Sequence, residues 1–140
     1  METLAPLTVV ENAYRAWAEG DYVETLCAFS PDVVWHQEDG LHAAEFVGRG
    51  AVAERLKELL SDFRFLEITP LRWTAHGQLV AVVGEYVGEG RTTGFAFEDK
   101  FTHVWRVEDG RGVEIGLYRT PALAMRDLDV RLGDGDGIAA

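Results

Sequence analysis

Cysteine is nearly absent: Cys27 is the only one in 140 residues, so no disulfide can form within the chain. It falls in a probable turn of helix, Tyr22 to Phe29, with no thiolate-stabilising neighbour, and is expected to be a small buried hydrophobe. Long apolar runs are also missing. No stretch approaches the roughly 18 apolar residues of a membrane span, and the N-terminus, with its early Glu2, lacks the basic and apolar regions of a signal peptide. The expected address is the cytoplasm. Positive charge is scarce, with 13 Lys and Arg against 24 Asp and Glu, a formal net charge of −11. That balance repels nucleic-acid backbones and anionic membranes, so neither is an expected partner. There is no GxSxG, no phosphate-cradling glycine loop and no dinucleotide fingerprint. No His/Cys/Asp/Glu grouping has metal-ligand spacing, so no metal site is expected.

What is present is an ordinary globular composition, 47% hydrophobic and 26% charged, in a length suited to one domain. Thr8 to Glu19 reads as a first helix with Val9, Val10, Ala13, Tyr14 and Trp17 as its apolar stripe. Asp21 is a candidate N-cap for the second helix, and Ser30-Pro31-Asp32 breaks the chain. A short strand follows over Val33 to Glu38, then a loop or irregular hairpin from Gly40 to Phe46, then a helix from Ala51 to Leu60. From Phe63 onward the chain is sheet-like, over Phe63–Trp73, Leu79–Val87, Thr93–Val107 and Gly112–Tyr118, with hairpin signals at His76-Gly77, Glu89-Gly90 and Glu108-Asp109-Gly110. Pro70 predicts an edge position or a bulge. Ala122–Leu128 reads as a last short helix, and 129–140 as a disordered acidic, glycine-rich tail. Its Gly133-Asp134-Gly135-Asp136-Gly137 string lacks the full ligand spacing of a calcium loop. Helices followed by long antiparallel strands imply an α+β domain over 1–128, with helices packed on one face of a sheet; if that sheet curves strongly, its concave face and the helices enclose a conical cavity.

The most informative run is Phe95 to Val107. Alternation places Phe95, Phe97, Asp99, Phe101, His103, Trp105 and Val107 on one face. Two ionisable groups, Asp99 and His103, therefore stand among aromatic rings, as buried satisfied residues or as parts of a site.

Four strings carry a family resemblance: Tyr14-Arg15-Ala16-Trp17-Ala18-Glu19-Gly20-Asp21, Asp32-Val33-Val34-Trp35-His36-Gln37, Phe46-Val47-Gly48-Arg49-Gly50-Ala51-Val52, and His103-Val104-Trp105-Arg106-Val107-Glu108-Asp109-Gly110. Their order resembles the NTF2-like (cystatin-like) fold, and within it the SnoaL-like branch of polyketide cyclases and ketosteroid-isomerase-like proteins. The resemblance spans Thr8 to Leu123. It implies a cone-shaped pocket, a homodimer, a small hydrophobic molecule as partner, and no metal or organic cofactor. In ketosteroid isomerases an Asp base works with an oxyanion hole made by a Tyr and a protonated Asp. Here the base position is Gln37, the Tyr position falls at or beside Ala13 so that Tyr14 is displaced by one residue, and the protonated-Asp position is His103. The acid/base Asp of the cyclases corresponds to Leu117, and the Asp after the final Tyr is replaced by Arg119-Thr120-Pro121. The chain departs from both catalytic patterns.

His103 is expected to line the pocket as oxyanion donor or general acid/base, or else to be a core histidine satisfied by Tyr14 or Gln37. Asp99 is the second catalytic candidate. Four residues along an ideal strand is about 13 Å, at roughly 3.3 Å per residue, too far for a direct bond to His103. Tyr14, Trp17, Trp35, Gln37, Phe46, Phe101, Trp105 and Leu117 are the expected ligand-binding residues, and His36 is expected on the outer face or at an interface. Three functions stay open: a cofactor-independent cyclase or isomerase acting next to a carbonyl, a non-catalytic binder of a small hydrophobic molecule, and a structural dimerisation module.

Overall fold

The computed structural model describes residues 4–38 and 43–133. Helix α1 (Pro6–Ala18) opens on Pro6, at a position where the missing N–H costs nothing, and buries Val9, Val10, Ala13, Tyr14 and Trp17. Gly20, at φ 76°, terminates it. The Asp21 carboxylate caps α2 (Tyr22–Cys27) by accepting the Glu24 N–H at 3.0 Å. This helix stops short of Phe29. Ser30 precedes Pro31, which disfavours helical backbone, so strand β1 (Phe29–Glu38) starts at Phe29 and passes through the expected breaker with a register irregularity before Val34. Cys27 is consequently exposed, against expectation; the short α2 turns Thr25 inward instead.

The chain returns as β2 (Ala43–Val47), paired antiparallel with β1. Gly48, at φ 97°, leads into α3 (Arg49–Asp62). Strands β3 (Phe63–His76), β4 (Leu79–Gly90), β5 (Ala96–Glu108) and β6 (Arg111–Tyr118) form an antiparallel meander, followed by α4 (Pro121–Gly133). The sheet order is β2-β1-β6-β5-β4-β3. One pairing is parallel, β1 with β6, and it joins the early hairpin to the meander. The result is the expected α+β cone with an open, curved sheet. Pro70 lies on the edge strand β3, next to a register shift.

Helices α1 and α3 pack on the concave face, and the main core lies between them and the sheet, where Val10, Val33, Val52, Val80, Val82 and Phe101 are fully buried. The helices do not keep to one face. Helix α4 covers the outer side of β5 and β6, where Val104, Tyr118 and Ala124 form a second apolar cluster, and the Tyr118 hydroxyl donates to Asp127. Val104 is therefore buried by the chain's own helix and offers no apolar surface to a second subunit. The same helix runs past Leu128 to Gly133, so residues 129–133 are helical; 134–140, with most of the glycine-aspartate string, lie outside the described residues.

Candidate functional site

The cone encloses a cavity of about 330 Å³, within the range of small-molecule sites. Its wall is mainly apolar: Trp17 from α1, Leu56 and Leu59 from α3, Leu66 and Ile68 from β3, Trp35 and Ile115 from the parallel pair. Into this wall α1, β4 and β5 place a chain of polar groups. His103 Nδ1 and the Tyr14 hydroxyl are 2.6 Å apart, His103 Nε2 and the Tyr86 hydroxyl are 2.6 Å apart, and the Trp105 indole N–H donates to the Tyr14 hydroxyl at 3.1 Å. Tyr86 stands directly opposite Asp99 across the β4–β5 ladder. It thus stands between the two ionisable residues, hydrogen-bonded to His103 and close enough to Asp99 to feel its charge.

Burial sets the electrostatics. His103 is 4% exposed, and desolvation pulls its imidazole down to about 3, so the ring is neutral at physiological pH. Such a ring is a weak base and a good neutral hydrogen-bonding group. Burial pushes the Tyr14 hydroxyl up, against the opposing pull of the Trp105 hydrogen bond. Tyr86 is raised by burial first and by the nearby Asp99 charge second. Both phenols therefore stay protonated. A separate polar pair lies on the α3 side, where Arg55 Nε donates to Gln37 Oε1 at 3.3 Å and its guanidinium sits 6.0 Å from the Phe46 ring centroid. Among the described residues, no group of three or more His, Cys, Asp or Glu could hold a metal ion.

The SnoaL-like domain family matches residues 10–115. This chain belongs to that family. An NTF2-like protein of unknown function from Burkholderia pseudomallei is 25% identical, with a TM-score of 0.75 over 86% of this chain and 95% of its own. An NTF2-like protein from Burkholderia thailandensis is 24% identical, with a TM-score of 0.77 over 91% and 98%. A putative polyketide cyclase from Xanthomonas campestris pv. campestris is 21% identical, with a TM-score of 0.74 over 86% and 94%. No curated protein matches the chain.

Within this SnoaL-like cone, Tyr14, Trp17, Trp35, Gln37, Asp99, His103, Trp105 and Leu117 all contribute to the cavity wall. Phe46 and Phe101 do not. Phe46 packs on the core beneath Arg55, and Phe101, 1% exposed, is spent on stacking against His103. Asp99 is exposed at the mouth, one of its oxygens accepting the Lys100 N–H at 2.9 Å. His36 lies on the outer face as expected, between Glu45 and Glu114, each at 2.9 Å. Tyr86 and Arg55 escaped sequence reasoning. For Tyr86 a signal existed, since Val80, Val82, Gly84 and Tyr86 alternate onto one face of β4, but pairing it with Asp99 required the β4–β5 register. Among the described residues no helix is long and apolar enough to cross a membrane.

Proposed function

We propose that this SnoaL-like domain binds a small, largely apolar molecule bearing a carbonyl and moves a proton next to it, as a cyclase or isomerase using its own side chains. The observation that carries the reading is the Tyr86–Asp99 pair at one end of an apolar cavity. Among the described residues Asp99 is the only carboxylate of the cavity wall, and it stands opposite a protonated phenol. The carboxylate takes the proton from the carbon beside the carbonyl, and the electron pair moves onto the carbonyl oxygen. The polar chain stabilises that oxygen, and protonated Asp99 returns the proton at another carbon. His103, with its low pKa, serves as a hydrogen-bonding link and not as the base.

Incubation in deuterium oxide with a panel of cyclic aromatic ketones tests this. Deuterium should enter beside the carbonyl, and Asp99→Asn should abolish the exchange while ligand binding persists. Binding without exchange would establish the second reading, a non-catalytic binder. That reading draws on the exposure of Asp99 and on the absence of a carboxylate at Gln37 and Leu117. Pairing as a homodimer is part of the same proposal and rests on the family resemblance, with half-buried Val34 still facing outward; sedimentation velocity checks it.

A further inference from the structure

We infer that the hydrogen bonds of the cavity chain run one way, from Trp105 through Tyr14 and His103 to Tyr86, leaving the Tyr86 hydroxyl hydrogen as the donor offered to a bound ligand's acceptor oxygen. This rests on the ligand-binding reading above and adds a residue and a polarity to it.

The direction follows from what each group can do. An indole nitrogen only donates, so Trp105 Nε1–H donates to the Tyr14 oxygen. Tyr14 still has its own hydrogen to place, and among the described residues its one other hydrogen-bond partner is His103 Nδ1 at 2.6 Å. Tyr14 is 8% exposed, and leaving its hydrogen unpaired there would cost about 1–3 kcal/mol. It therefore donates to Nδ1. A neutral imidazole carries one N–H, which is then on Nε2, and Nε2–H donates to the Tyr86 oxygen at 2.6 Å. The Tyr86 hydrogen has no acceptor among the described residues. Tyr86 is also the half-buried end of the chain, where water or a ligand can reach it. The opposite polarity would strand the unpaired hydrogen on Tyr14, at the more deeply buried position.

His103 is on this account a positioning residue. It holds the Tyr86 oxygen from behind, so that the phenol hydrogen points into the cavity and the oxygen already carries one hydrogen bond. A ligand meeting Tyr86 must present an acceptor there, as a ketone or quinone oxygen does; a methylene at that point leaves the phenol unsatisfied.

Two measurements test it. Long-range proton–nitrogen NMR of His103 in the ligand-free protein should show Nε2 protonated and Nδ1 as acceptor. That pattern should persist in Tyr86→Phe and be lost in Tyr14→Phe. A protonated Nδ1 in the wild type would overturn the inference. Second, 9-fluorenone and fluorene, which differ only in the carbonyl, should bind with about a tenfold preference for the ketone, the worth of one neutral hydrogen bond. Tyr86→Phe should erase the preference, and Tyr14→Phe should only weaken it, because a His103 that has lost its Nδ1 donor can accept from Tyr86 through Nε2 in competition with the ligand. Loss in Tyr14→Phe with retention in Tyr86→Phe would reverse the polarity and overturn the inference. Failure of both probes to bind would count against the proposed function, and the His103 tautomer would then decide the inference by itself.

Discussion

Phe101 lies stacked against His103, with ring centroids 4.0 Å apart, because Gly84 stands opposite it on β4. A Cβ at Gly84 would sit 2.6 Å from the Phe101 ring and 2.3 Å from the Thr69 carbonyl oxygen. The missing side chain lets Phe101 lie flat over β4 and form the floor on which Tyr86 and His103 meet, the Tyr86 and Phe101 centroids being 4.7 Å apart. Gly84→Ala should therefore cost about 1–3 kcal/mol by overpacking and weaken ligand binding at a site it never touches. Chemical denaturation checks the first effect; an unchanged midpoint would refute it.

Acid should destabilise the protein through His103. Its folded-state pKa is depressed from 6.5 to about 3, so between those values the unfolded chain binds the extra proton. Stability from this residue is complete above the unfolded pKa and is lost as pH falls toward about 3. Linkage gives a loss of about 1.4 kcal/mol between pH 7.5 and 5.5. His103→Gln should lack that component, so the gap between the two unfolding curves narrows on acidification. A constant gap from pH 7.5 to 5.5 would contradict the buried, neutral assignment.

Filling the cone separates a binding cavity from a packing defect. Leu66 on β3 contributes to the wall and is half-buried, and Leu66→Trp adds bulk that the 330 Å³ space accepts. Ligand binding should fall by tenfold or more while the melting temperature holds or rises. Binding that survives the substitution would place the ligand elsewhere.

The outer cluster should be separable from the cavity. Ala124, on the sheet-facing side of α4, is 2% exposed, so Ala124→Asp buries an unpaired carboxylate and should loosen the helix, at about 2 kcal/mol or more. Dye binding to the uncovered Val104 surface should rise while cavity ligands still bind. Loss of cavity binding in a protein that remains folded would show that α4 shapes the site.

Much of the cone was legible from period alone. The spacing of Val9, Val10, Ala13, Tyr14 and Trp17 marks the buried face of α1, and the alternation from Phe97 to Val107 selects the side chains that face inward on β5. These patterns are read within one element, where backbone geometry dictates which residues share a face. Short-range chemistry misled at α2, where Ser30-Pro31 acts on the preceding turn and lets β1 begin at Phe29. It also misled at Val104. Alternation puts that residue outside, and only the docking of α4 shows that outside is not exposed.

The sequence by itself pointed to the family, through four strings that resemble it, and to the inward face of the Phe97–Val107 run with His103 among its aromatic rings, because a strand's faces follow from local period and residue type. The tertiary structure decided which atoms touch. The pairing of Tyr86 with Asp99 depends on the register of two strands, and the meeting of His103 with Tyr14 depends on where a helix 89 residues away in sequence comes to rest. Register and docking are settled by the whole core packing at once, and no local pattern carries them.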